Sequence, residues 1–117
     1  MSGAVYRYAI KIVRVIDGDT LEVDVDLGFR VWLRKVKFRL SGINCPEIKN
    51  PGGIGAREFV SRICAESNWE GIADTIKADK YGNRWDAVVY LPHLENSLNH
   101  ILLEQKYAEV ARAITEE

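Results

Sequence analysis

The sequence predicts a mainly β fold with some α: five antiparallel strands coiled into a small barrel, with two to three helices attached. Three observations carry that prediction. First, Leu21, Val23, Val25 and Leu27 alternate with Glu22, Asp24 and Asp26, the period of two expected of a half-buried antiparallel strand. Second, the runs on either side of it each change parity once. In the stretch from about Val5 to Ile16, Ile10 and Ile12 give way to Val13 and Val15. In the third run, Val31 and Leu33 give way to Val36, Phe38 and Leu40, with the slip at Arg34-Lys35. A β-bulge produces such a slip, and bulged consecutive strands curl a sheet toward closure. Third, a pattern with helical spacing follows the third strand rather than a fourth alternating run.

Gly28 ends the second strand. Ser41-Gly42-Ile43-Asn44-Cys45-Pro46-Glu47 reads as a turn, because Pro46 fixes its own φ and pushes Cys45 out of the helical region. Asn44 and Glu47 can then both point back toward the strand ends. Lys49-Asn50-Pro51-Gly52-Gly53 reads as a loop. Between Gly55 and about Ser67, Ala56, Phe59, Val60, Ile63 and Cys64 fall on one helical face. Trp69 to Ala78 reads as a strand, Asp79-Lys80-Tyr81-Gly82-Asn83 as a hairpin turn, and Arg84 to Leu91 as the fifth strand, stopped by Pro92. Asn96 or Ser97 can cap a last helix over about 96–107, with Leu98, Ile101, Leu102 and Ala108 inward. Three strands, a helix, two strands and a helix is the connectivity of an oligonucleotide-binding-type barrel.

The chain has 117 residues, which suits one domain with one core. Its 47% apolar and 28% charged shares are those of a soluble globular protein. A formal net charge of -1 supplies no general attraction for a polyanion, so any nucleic-acid partner must be held by a local cationic site. Cys45 and Cys64 are too few and too far apart for a disulfide scaffold and lack Cys-x-x-Cys spacing; they read as free thiols. No apolar run approaches membrane-spanning length, and the N-terminus has no signal-like apolar core.

The chemistry concentrates around Val15-Ile16-Asp17-Gly18-Asp19-Thr20-Leu21. Asp-Gly is a hairpin signal in its own right. A turn there, with Gly18 free to adopt a left-handed conformation, also crowds Asp17 and Asp19. Crowded carboxylates repel unless a cation, a hydrogen bond or solvent relieves them, and hard oxygens suit Ca²⁺ or Mg²⁺. The third strand carries Arg30, Arg34, Lys35, Lys37 and Arg39, a solvated face apart from Arg39, which adjoins the distinctive turn. His93 and His100 have no zinc-site spacing. Trp32, Trp69 and Trp85 read as barrel packing.

Taken together, Val15-Ile16-Asp17-Gly18-Asp19-Thr20, Phe38-Arg39-Leu40 running into Ile43-Asn44-Cys45-Pro46-Glu47, Gly55-Ala56 with Glu58-Phe59-Val60, Asp79-Lys80-Tyr81-Gly82, and Leu98-Asn99 through Tyr107-Ala108 resemble the staphylococcal-nuclease (thermonuclease-like) family. The resemblance runs over nearly the whole chain, as one domain over 1–117. It implies a Ca²⁺-dependent nuclease that hydrolyses DNA or RNA phosphodiesters, with single-stranded nucleic acid as partner. By the same resemblance Asp19 is a metal ligand, and Asn44 stands where the family has a second aspartate. Cys45 stands where a threonine offers its backbone carbonyl, and Glu47 matches the general base. Arg39 matches the first phosphate-binding arginine. Asn83 occupies the usual slot of the second, so Arg84 is assigned that role across a one-residue insertion. Lys80 and Tyr81 would contact substrate. Asp17 is read as bracing the turn. Asn44 and the displaced arginine keep a second class open, a catalytically degenerate barrel that binds nucleic acid or a protein.

Overall fold

The computed structural model describes residues 6–78 and 84–111. Strands β1 (Tyr6–Asp17), β2 (Thr20–Asp26) and β3 (Trp32–Leu40) form a meander. The short β4 (Ile43–Asn44) and helix α1 (Gly53–Glu66) follow. Then come β5 (Glu70–Ala78), β6 (Trp85–Tyr90), helix α2 (Leu98–Glu104) and the short β7 (Glu109–Val110). The five long strands close into a barrel in the order β1-β2-β3-β6-β5. Every neighbouring pair is antiparallel except β3 and β6, which run parallel. This is the mainly β, oligonucleotide-binding-type barrel with helices that the patterning predicts.

Both parity slips are bulges. Ile12 faces Val23 while Arg14 faces Glu22, which leaves Val13 as the extra residue of β1. Val23 faces Val36 while Val25 faces Leu33, which places the second bulge at Arg34-Lys35. Lys35 there adopts φ 59°, a left-handed conformation uncommon for a residue with a Cβ. Inward residues of the five strands, among them Ile10, Leu21, Val23, Phe38, Leu40, Ala73, Ala87 and Val89, fill the barrel. α1 extends this core through Val60, Ile63 and Cys64, and α2 through Leu98 and Leu102. Each buried Val, Leu, Ile or Phe among them contributes roughly 1.5–3 kcal/mol. Ser97 is the N-cap of α2, its hydroxyl accepting from the His100 amide at 3.1 Å.

Three local expectations change. Gly18 is not among the residues with positive φ; its necessity is steric, as described below. The tryptophans are not interior packing: Trp69 and Trp85 are exposed and Trp32 is half-buried. Finally, the chain after α2 forms β7, antiparallel to β4, with Val110 opposite Ile43 and Glu109 opposite Asn44. A two-residue strand has too few positions to show a period.

Candidate functional site

The site lies where β1 turns into β2 and where β3 runs out into β4. The Asp17-Gly18-Asp19 turn is pressed against α1 and the Asn44-Cys45 segment. A Cβ on Gly18 would stand 2.8 Å from the Ala56 Cβ and 2.9 Å from the Cys45 Sγ, closer than side chains approach. The start of α1 is fixed similarly: a Cβ on Gly53 would collide with the Glu47 carbonyl. Two glycines thus let the turn, the Glu47 segment and α1 meet with no space between them.

Asp19 is buried and its carboxylate is occupied on both oxygens. Oδ2 accepts from the Cys45 amide at 2.9 Å, and Oδ1 accepts from the Thr20 hydroxyl at 3.2 Å. The Leu40 amide donates to the Asp19 carbonyl at 2.8 Å, tying the turn to the end of β3. Arg39, facing Thr20 on β2 and Asp86 on β6, points its guanidinium into the same place. Its Nη2 donates to Asn44 Oδ1 and lies 3.7 Å from Asp19 Oδ2, and its Nη1 donates to the Leu40 carbonyl at 3.2 Å. Asp19, Arg39, Asn44 and Cys45 therefore come together.

The surrounding acids are differently placed. Burial pushes the Asp17 carboxyl above its ordinary range, and the neighbouring Asp19 charge adds to this; Glu47 acts the same way, while the Ile48 amide and Arg57 oppose it. Glu47 is exposed and its Oε1 lies 3.6 Å from Lys49 Nζ. Burial, reinforced by Asp19, pushes the Cys45 thiol up to about 12. With no metal beside it the thiol is protonated at neutral pH. The buried Cys64 thiol is likewise pushed up to about 12.

Arg84 is half-buried and immediately precedes β6, whose first residue, Trp85, faces Phe38; the residue facing Arg39 is Asp86, two positions further on. Lys80, Tyr81 and Asn83 lie outside the described residues. On β3, Arg34 is bonded to Asp24 at 2.8 Å and stacks over Trp32, so the basic strand is partly neutralised by β2. Two residues near the site carry no obvious sequence signal. Arg57 follows Ala56 on α1 and acts on Asp17. Glu109, across from Asn44, shares with it the lining of a cavity of about 310 Å³ bounded also by Cys45, Pro46 and Tyr107. The position of Ala56 on the buried helix face could have pointed to its neighbour Arg57. Nothing short of the β4–β7 pairing points to Glu109.

Among the described residues no three His, Cys, Asp or Glu side chains are grouped to hold a metal ion. The donors that do converge are of another kind. One guanidinium nitrogen reaches both the Asp19 carboxylate and the Asn44 amide oxygen, so these two hard oxygens face a common point. A carboxylate and an amide oxygen are hard donors of the kind Ca²⁺ takes; here the point they share is held by the Arg39 guanidinium.

A closed five-stranded barrel bearing a carboxylate, an amide oxygen and a guanidinium at the mouth of its first hairpin is an oligonucleotide-binding-type domain with a polar site at its strand ends. Within that class the assignment is definite: the family described as staphylococcal nuclease homologue matches residues 37–117, and the chain belongs to it. The matched segment includes Arg39, Asn44, Cys45, Glu47 and Arg84, while Asp17 and Asp19 precede it. No curated protein matches the chain.

Proposed function

We propose that the chain is a Ca²⁺-dependent nuclease, a single domain over 1–117 that hydrolyses phosphodiester bonds of single-stranded DNA or RNA. The observation that supports this reading is the convergence of Asp19, Asn44 and Arg39 on one point, with the exposed carboxylate of Glu47 three residues after Asn44 in the sequence. Asp19, Asn44 and the Cys45 carbonyl would hold the cation, which when bound supplies Lewis-acid polarisation of a phosphoryl oxygen. Arg39 and Arg84 present planar forks of donors to the remaining phosphate oxygens, where negative charge grows as water attacks. Glu47 accepts the proton of that water as the new P–O bond forms, and the bond to the leaving ester oxygen breaks, that oxygen taking a proton from solvent. For this, Arg39 exchanges its bond to Asn44 for one to phosphate. Lys80 and Tyr81 are assigned to contacts with the flanking nucleotide.

A second reading, a catalytically degenerate module that binds nucleic acid or a protein, is favoured by one specific observation. Arg39 is already engaged with Asn44, Asp19 and the Leu40 carbonyl, a self-contained arrangement. Digestion of single-stranded DNA and RNA with Ca²⁺, with EDTA, and with Glu47→Gln separates the two. The nuclease reading expects cleavage that EDTA abolishes and that Glu47→Gln lowers by roughly 10²-fold or more. Substrate that is bound but never cut assigns the second reading.

A further inference from the structure

The end of the barrel away from Asp19 is built from apolar side chains that the described elements leave open. β2 runs into β3 through Leu27-Gly28-Phe29-Arg30-Val31, a turn closed by Leu27 N–H to the Val31 carbonyl and Val31 N–H to the Gly28 carbonyl, both at 2.9 Å. Phe29 at its tip is 99% exposed. Phe29 and Arg30 both adopt positive φ, 57° and 64°, a conformation that strains residues bearing a Cβ. A bulky aromatic held in solvent on a strained backbone gives the isolated chain no stability.

Beside the hairpin lies a cavity of about 280 Å³ at the barrel mouth, lined by Tyr6, Tyr8, Leu27, Leu33, Phe38 and Trp85 among others. These are inward positions of their strands, so the mouth continues the core into solvent. Tyr6, Leu27, Phe29, Val31, Leu33 and Trp85 are all substantially exposed. At about 150–250 Å² per free aromatic, the exposed fractions of Tyr6, Phe29 and Trp85 amount to roughly 300–500 Å², to which Leu27, Val31 and Leu33 add, and the total approaches one partner's share of a standard interface. Monomers rarely expose more than a few hundred Å² in one patch.

We propose that this end of the barrel is a homodimer interface, in which Phe29 of each copy enters the barrel mouth of the other. The knob and the hole are on one face of the same chain, which is what an isologous two-fold contact needs for closure. An apolar cavity of about 150 Å³ already accepts benzene, so this mouth has room for a phenyl ring. The rim carries both signs, Arg30 on the turn and Asp26 at its base, which a two-fold axis can pair crosswise. A polyanion would use only the cation. The interface leaves Asp19, Arg39 and Glu47 at the other end, while Arg84, assigned to the nuclease site, adjoins Trp85 at its edge.

Sedimentation velocity of the full chain from about 1 to about 500 μM tests this. The wild type should pass from monomer to dimer across that range. Phe29→Gly removes the knob and places at φ 57° the residue that tolerates it, so it should weaken the dimer at least tenfold while raising the Tm of the dilute monomer. Phe29→Ser should weaken the dimer with unchanged circular dichroism. A wild type that stays monomeric throughout overturns the proposal, as does a dimer that survives Phe29→Gly. So does a monomeric wild type whose binding to a single-stranded oligonucleotide is lost in Phe29→Gly, which would give the tip to base stacking.

Discussion

At one end of the barrel the Asp19 carboxylate, the Arg39 guanidinium and the Asn44 amide are bonded to one another and to the backbone. At the other, Tyr6, Leu27, Leu33 and Trp85 surround a cavity and remain largely exposed. The same two strands supply both ends: β2 begins at buried Thr20 and ends at Asp26, and β3 begins at Trp32 and ends beside Arg39. What differs is what lies against them. α1 and the Asn44-Cys45 segment pack over the first end, where buried Asp19 finds partners for both carboxylate oxygens. No described element closes over the second. The polar end is thus complete within one chain, and the apolar end has the composition of an interface core.

The sharpest way to break that contrast is to loosen the closed end. Gly18→Val forces a branched side chain into the gap held by Ala56 and Cys45. It should cost about 3 kcal/mol or more, read as a lower urea midpoint at unchanged m-value. A neutral result would mean that the turn is not close-packed against α1.

Next in size is Asn44→Asp. The added charge should tighten Ca²⁺ by tenfold or more, about 1.4 kcal/mol, and raise cleavage at limiting Ca²⁺; Asp19→Ala should abolish both. Calorimetric titration of the wild type and both variants checks this. Unchanged Ca²⁺ affinity in Asn44→Asp would show that the Asn44 oxygen belongs to Arg39 alone.

The smallest effect concerns Asp17. Its folded-state carboxyl titrates above the ordinary value of 3.8, chiefly through burial and the Asp19 charge. Folding is therefore favoured with Asp17 protonated, and that contribution is lost as pH rises through the raised value. Asp17→Asn should raise the urea midpoint at pH 7, and the gain should shrink as pH falls through the raised value and vanish below about 3.8, where Asp17 is protonated in both states. A gain independent of pH would locate the effect in packing instead.

Much of the fold was legible because hydrophobic periodicity reports which face is buried. Val13 and the Arg34-Lys35 pair interrupt the alternation in the sequence and bulge in the structure. The spacing of Ala56, Val60 and Ile63 similarly marks the buried side of α1. Periodicity carries no information about strand order, so the parallel pairing of β3 with β6 could not be read from it. Nor could the β4–β7 pair that sets Glu109 opposite Asn44. At the site, residue types showed which groups could act. They could not show that Arg39 would bond to Asn44, because that depends on where two chain segments end. Phe29 was invisible for a simpler reason: one aromatic in a glycine turn has no period, and only its exposure marks it.

The pairing of β3 with β6 has a consequence for motion. It consists of Phe38 with Trp85, Arg39 with Asp86 and Leu40 with Ala87, the shortest ladder in the barrel, and it joins residues distant in sequence. If it parts, the remaining ladders are intact, and the barrel unrolls into an open sheet in the order β3-β2-β1-β5-β6. One side chain clasps the join from outside. Buried Asn99 on α2 accepts from the Val89 amide at 3.1 Å and donates to the Ala87 and Ser41 carbonyls at 3.2 and 2.9 Å, binding β6 to the residue just past β3. Arg39 lies on the line along which the sheet would unroll, so parting of that seam would carry Arg39 away from β6.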